Sequence, residues 1–155
     1  MLRVDLRDLQ RGPVRTVGEL SADDPTFEGL ELELAGPVSV RGQLQATGSG
    51  EYLWRGELHG VMHGECRRCL AEVNRGVDIN VDAAVFTTDP EAADDPDFYP
   101  LSPRATHVDI GEVVREELAL AAQMHLVLCR DDCAGLCPKC GADLNAGPCR
   151  CGTPA

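Results

Sequence analysis

The chain of 155 residues carries 26 acidic against 14 basic side chains, a formal net charge of -12, and 43% of it is hydrophobic. That is enough apolar material for one soluble domain, or one domain with an appendage, and no apolar run approaches the roughly 18 residues of a membrane span. The acid excess excludes holding nucleic acid by a broad basic surface, because phosphate contacts need clustered cations, so any RNA contact must be local or made through a partner.

The first residues, Met1-Leu-Arg-Val-Asp-Leu-Arg-Asp, mix charges with apolar groups and lack the apolar core of a signal peptide, which places the chain in the cytoplasm. Residues 1–36 read as an opening strand, with Val4, Leu6 and Leu9 between charges, followed by a connector. Arg3, Arg7, Arg11 and Arg15 recur at helical spacing, but Gly12-Pro13 breaks any helix and leaves them as a solvated face. Glu31-Leu32-Glu33-Leu34 alternates as a half-buried strand does.

The middle of the chain gives the clearest signal. Val38, Val40, Leu44 and Ala46 alternate with Ser39, Arg41, Gln43, Gln45 and Thr47, the period of a strand with one buried face. Gly48-Ser49-Gly50 reads as a hairpin turn. A second strand runs from about Tyr52 to Met62 and contains the single Trp, Trp54. A third follows, with Val73, Val77, Ile79, Val81, Ala83 and Val85 inward, completing an antiparallel meander. Residues 87–104 are acidic and Pro-rich and read as a mobile, solvated loop, with Phe98-Tyr99 as an anchor or a docking point.

One helix is predicted next. Asp109 is its N-cap, Glu112 completes a capping box, and Ile110, Val113, Val114, Leu118 and Ala121 share one face that packs on the sheet. Met124 to Cys129 leads from it as an extended segment. The fold class is therefore α+β: a β-meander with one packed helix over 1–128, and a cysteine-rich tail over 129–155.

The eight cysteines carry the chemistry. Cys137-Pro-Lys-Cys140-Gly141 has the composition of a zinc knuckle: two thiolates two residues apart, a stiffening Pro, and a Gly that lets backbone N–H groups turn back to sulfur. Cys66-Arg-Arg-Cys69, a second hook, lies between the second and third strands, at the tip of a hairpin. Tetrahedral zinc takes four thiolates at about 2.3 Å, and short hooks supply them two at a time. The spacing favours two zinc ions: Cys137, Cys140, Cys149 and Cys151 as a local site closed by the turn Leu144 to Pro148, and Cys66, Cys69, Cys129 and Cys133 as a long-range site tying the tail to the sheet. Iron is not excluded by spacing. Disulfides are disfavoured by the compartment, and a thioredoxin-like pair is disfavoured because Cys140 precedes Gly and a turn rather than a helix.

Arg67, Arg68, Arg130, Lys139 and Arg150 sit beside cysteines. They offset the negative charge of thiolate-ligated metal, with a local cationic patch for RNA phosphate as the sharper alternative. His63 is a surface residue or a group supporting the ligands rather than a ligand, and His59, His107 and His125 have no evident partners. No Gly-rich phosphate loop, HExxH or Ser/His/Asp arrangement is present, and sites with four protein ligands leave no place for a catalytic water, so no catalytic residue is assigned.

The hook Cys66-Arg-Arg-Cys69-Leu70, the acidic loop, the Asp109-Ile-Gly-Glu112 helix start and the run from Cys129 through Cys133-Ala-Gly-Leu-Cys137-Pro-Lys-Cys140-Gly141, with its Leu-Asn turn and Cys-x-Cys end, resemble the YceD-like family over about Val38 to Cys151. The resemblance implies a role in large-subunit rRNA accumulation, and hence ribosome assembly. The expected partners are the large-subunit precursor, a ribosomal or rRNA-processing protein, or the rRNA itself, and the acidic surface favours a basic protein. A thiol redox enzyme using Cys137 and Cys140, or a zinc adaptor outside ribosome biology, are the competing readings.

Overall fold

The computed structural model describes residues 2–124, 128–149 and 151. His125, the middle of the expected extension from the helix, and Arg150 lie outside them. The elements in chain order are β1 (Arg3–Asp5), β2 (Val14–Leu20), β3 (Glu33–Leu34), β4 (Val38–Gly48), β5 (Glu51–Glu65), β6 (Glu72–Thr87), β7 (Phe98–Pro100), β8 (His107–Asp109) and α1 (Gly111–Met124). β1 and β8 pair as a separate ribbon. The main sheet has the order β2-β4-β5-β6-β7, with β3 alongside the far end of β5.

The predicted meander is β4-β5-β6, paired antiparallel throughout, with Ser49-Gly50 at the first turn and the cysteine hook beyond the Glu65–Glu72 pair at the second. The sheet is mixed rather than purely antiparallel, because β7 adds in parallel to β6. Its inner face carries Val38, Val40, Leu44, Trp54, Leu58 and Phe86, all buried, and α1 lays Val113, Val114 and Leu118 on them, next to Ile110. Each such side chain removed from water contributes roughly 1.5–3 kcal/mol, so this layer of helix on sheet is the main source of stability.

The connector assigned to 1–36 contains a seven-residue strand instead. β2 pairs with β4 along its whole length and forms one edge of the sheet. Its inward positions include Thr16 and Gly18, which disguise the alternation. Thr16 is fully buried because it serves Trp54: the indole Nε1–H donates to its Oγ1 at 2.8 Å. The ring reaches Thr16 by lying across Gly42 and Gly56, which are register partners on β4 and β5. A Cβ on Gly42 would come within 2.6 Å of the indole, and one on Gly56 within 2.4 Å.

The third strand also differs from its predicted pattern. A register shift between Trp54 and Gly56 moves the inward set on β6 from Val77 and Val81 to Ala84 and Phe86, turning Ala83 and Val85 away from the core. A bulge of this kind breaks the period of two once and leaves both halves regular. The acidic segment 87–104 is more ordered than a solvated loop. It holds a 3-10 turn at Pro90–Ala92, capped by Asp89, and the strand β7, where Tyr99 stacks on Phe86 with ring centroids 5.0 Å apart. The strand expected at 31–34 is reduced to the two residues of β3. Asp109 caps α1 as expected, its Oδ1 accepting from Gly111 N–H at 2.8 Å. The Glu112 half of the box acts differently: burial, and then the neighbouring Asp109 charge, push the Glu112 carboxyl up.

Candidate metal centres

A reversing hairpin presents the first hook. β5 ends at Glu65, Cys66 N–H donates to Ala71 O at 2.8 Å, and Leu70 N–H donates to Cys66 O at 2.8 Å. The second hook repeats this pattern: Cys137 N–H donates to Ala142 O and Gly141 N–H to Cys137 O, both at 2.8 Å. The residue after the second cysteine has positive φ in each, +75° at Gly141 and +63° at Leu70. Glycine adopts that conformation without strain, whereas Leu70 does not. The predicted turn of backbone toward sulfur is present in both. The thiol of Cys66 is lowered to about 6, chiefly by the backbone N–H of Cys69, and that of Cys137 to about 6 by the backbone N–H groups of Cys140 and Lys139.

The chain brings all eight cysteines together in the two expected groups. Cys66, Cys69, Cys129 and Cys133 form one and Cys137, Cys140, Cys149 and Cys151 the other, with the Sγ atoms of each group within 4.8 Å of one another. Cys66–Cys133 and Cys69–Cys129 sulfurs are 3.7 and 3.6 Å apart, and Cys137 lies 3.4 Å from Cys149 and 3.5 Å from Cys151. A tetrahedron with arms of about 2.3 Å has edges of about 3.8 Å, whereas a disulfide is about 2.05 Å. All eight are free thiols. Either group could hold a metal ion, and the donor set of four sulfurs suits zinc or iron.

Crowding four thiols also separates their ionisation. Cys133 is lowered, first by the side-chain amide of Asn145, whereas Cys129 is pushed up to about 12, first by Cys133, and Cys151 is pushed up, first by Cys140. Thiolates at the lowered positions, Cys66 and Cys133 in one group and Cys137 in the other, oppose ionisation of their neighbours, an opposition that a cation in the centre would remove.

The first cluster is the more enclosed. Cys66, Cys69 and Cys133 are buried among Leu128 and Leu136. Gly135 permits the tail to close on the hook: its φ is +80°, and a Cβ there would sit 3.2 Å from Arg68 O. Arg68 Nη1 donates to Cys133 O at 3.0 Å, and Arg75 Nη1 from β6 donates to Leu128 O at 3.1 Å. Arg68 and Arg75 thus fasten the tail. Arg130 does the same, donating to Asn145 Oδ1 at 2.7 Å.

Asn145 is the functional residue that spacing alone misses. It sits in the 3-10 turn Leu144–Ala146 of the second cluster, yet its Nδ2 donates to Cys133 Sγ at 3.2 Å and its Oδ1 accepts from Ala134 N–H at 2.9 Å. One side chain therefore links the two clusters. His63 belongs to neither cluster and is half-buried, its Nδ1 2.7 Å from Asn74 Oδ1. His59, left without a partner by sequence, has two: Asp78 at 2.5 Å and Glu57 at 3.7 Å. Among the described residues no helix is long and apolar enough to cross a membrane.

Fold and sites define a class: a sheet-and-helix protein whose C-terminal segment folds around two four-thiol clusters able to hold metal, one closed against a sheet hairpin. The model of the YceD family, described as large ribosomal RNA subunit accumulation protein, matches residues 54–154, from Trp54 through both clusters. The chain belongs to that family. It is also 29% identical over 153 aligned positions to uncharacterised proteins of Mycobacterium bovis and Mycobacterium tuberculosis, covering 93% of this chain. It spans 65% of the length of those relatives. No solved structure is significantly similar to it.

Proposed function

We propose that this protein is a non-enzymatic assembly factor that supports accumulation of large-subunit rRNA in the cytoplasm, acting by binding to the large-subunit precursor. The observation that carries the reading is the family match over 54–154, which contains both thiol clusters and the hairpin joined to one of them. In this reading each cluster holds one zinc ion, and the eight cysteines are its ligands. The tail from 129 is a metal-folded unit docked on the 66–69 hook, with residues 1–128 as the body. Four protein ligands saturate tetrahedral zinc, so the metal organises a binding surface and is closed to substrate.

The test is depletion in the host, followed by sucrose-gradient sedimentation and quantification of large-subunit against small-subunit rRNA. Selective loss of large-subunit rRNA, restored by wild type and not by Cys66→Ser, is the expected result. An unchanged rRNA ratio after depletion would refute the assembly role.

A further inference from the structure

The outer face of the main sheet, opposite α1, gathers arginines that the sequence separates widely. Arg15 on β2 is the register partner of Gln43 on β4, and Gln43 is the partner of Arg55 on β5, so the three form one row across three strands. Arg41 lies two residues from Gln43 on the same face, opposite Val17 and Glu57. All four side chains are exposed. Shallow depressions between them are lined by Gln45, Leu53 and Asn80 as well.

None of Arg15, Arg41 and Arg55 forms an ion pair among the described residues. Several of the other arginines are occupied within the fold. Arg68, Arg75 and Arg130 hold the tail, and Arg115 donates at 2.7 Å to the carbonyls of Thr26 and Glu28. Glu57, the nearest acid to Arg41 by register, directs its carboxylate to His59, which also holds Asp78.

Charge is therefore segregated across the sheet. The cations lie on β2, β4 and β5. Two acids share that face, Glu19 on β2 and Glu57 on β5, but most acids collect toward the other edge, with Asp78 and Asp82 on β6, where Arg75 is turned to the tail, the acidic segment before β7, and Glu112, Glu116 and Glu117 on the helix side. The net charge of -12 conceals a local basic face.

We infer that this face binds RNA, with Arg15, Arg41 and Arg55 on phosphates and the interleaved amides of Gln43, Gln45 and Asn80 on base edges. Arginine's planar fork matches phosphate, and amides that both donate and accept suit unpaired bases. A carboxylate-rich protein would be attracted by the same charges, and competition by such a chain is an outcome of the test. The inference deepens the assembly reading by naming the partner class, and two of its three arginines lie outside the segment matched by the family model.

The experiment is fluorescence anisotropy of the full chain, metal-saturated, with a labelled mixed-sequence single-stranded RNA of about 12 nucleotides, a length suited to one such surface. Each phosphate contact on a single strand contributes about 0.7 to the slope of log affinity against log salt. Replacing all three arginines by Gln should then reduce the slope by about 2 and affinity in 0.1 M salt by about 100-fold. Arg3→Gln and Arg104→Gln, exposed positions off this face, should bind as wild type does, and unchanged Trp54 fluorescence would show that the triple variant is folded. The inference is overturned if the triple variant binds RNA within twofold of wild type, if wild type fails to bind, or if a poly-glutamate chain competes as well as RNA. Any of these would leave the assembly role standing, since that role is read separately from the rRNA ratio in depleted cells.

Discussion

Replacing Thr16 by Val tests whether the fold depends on a single polar contact in its apolar core. Thr16 and Trp54 are both fully buried, and the indole N–H donates to Oγ1 at 2.8 Å. The substitution keeps the volume and removes the only acceptor placed for that donor. Confinement of the ring over Gly42 and Gly56 prevents it from turning to another acceptor or to water. An orphaned buried donor costs about 1–3 kcal/mol. In a domain of this size that lowers Tm by about 2–4 °C for each kcal/mol. Urea unfolding of metal-saturated protein, followed by far-ultraviolet circular dichroism, gives the value directly. A double-mutant cycle with Trp54→Phe isolates the bond: in the Phe background, Thr16→Val should be close to neutral, leaving a coupling energy of about 1–3 kcal/mol. A Thr16→Val protein within about 0.3 kcal/mol of wild type would refute the reasoning, since that is the scale on which uncoupled changes scatter.

Leu70 occupies a left-handed conformation at φ +63° and is 57% exposed, so Leu70→Gly should raise stability by about 0.5–1 kcal/mol, the relief of strain exceeding the entropy cost of glycine; a lower urea midpoint would contradict this. Asn145→Ala removes the amide from Cys133 and should weaken metal binding at the Cys66 cluster by about 10–100-fold in chelator competition, the usual scale for a group that orients a ligand; unchanged competition would show the contact to be incidental. His59 is raised above the ordinary imidazole value, first by its hydrogen bond to Asp78, and an NMR titration of Asp78→Asn should find it lowered relative to wild type. The sign follows from linkage: because the folded-state pKa is the higher one, this pair contributes its full stabilisation below about pH 6.5 and loses it as pH rises through the folded-state value. Equal His59 titrations in the two proteins would remove the assignment.

The elements most legible in the sequence are those whose signal is local. β4 and the first half of β6 alternate cleanly, α1 has its apolar stripe, and the two hooks have ligand spacing, so the meander, the helix and both cysteine groups are legible from residue pattern alone. β2 is not, because its inward positions between Val14 and Leu20 are Thr16 and Gly18, and the burial of Thr16 makes sense only once Trp54 lies across three strands. The switch of the inward set on β6 was invisible for a similar reason: it depends on a register shift opposite Trp54, not on any residue in β6 itself. Asn145 and the row Arg15-Gln43-Arg55 belong to the same class. Each is assembled by pairing between distant segments, and nothing local in their sequence neighbourhoods distinguishes them from other polar residues.

The most direct test of the account as a whole is metal content measured together with thiol reactivity on the purified full chain. Two thiolate centres predict two zinc ions per chain and eight cysteines that resist a thiol reagent until chelator is added, with Cys66→Ser reducing the count to one ion and freeing the tail from the hairpin. Protein that carries no metal, with Cys137 and Cys140 cycling reversibly between dithiol and disulfide, would contradict the account and point to redox chemistry instead.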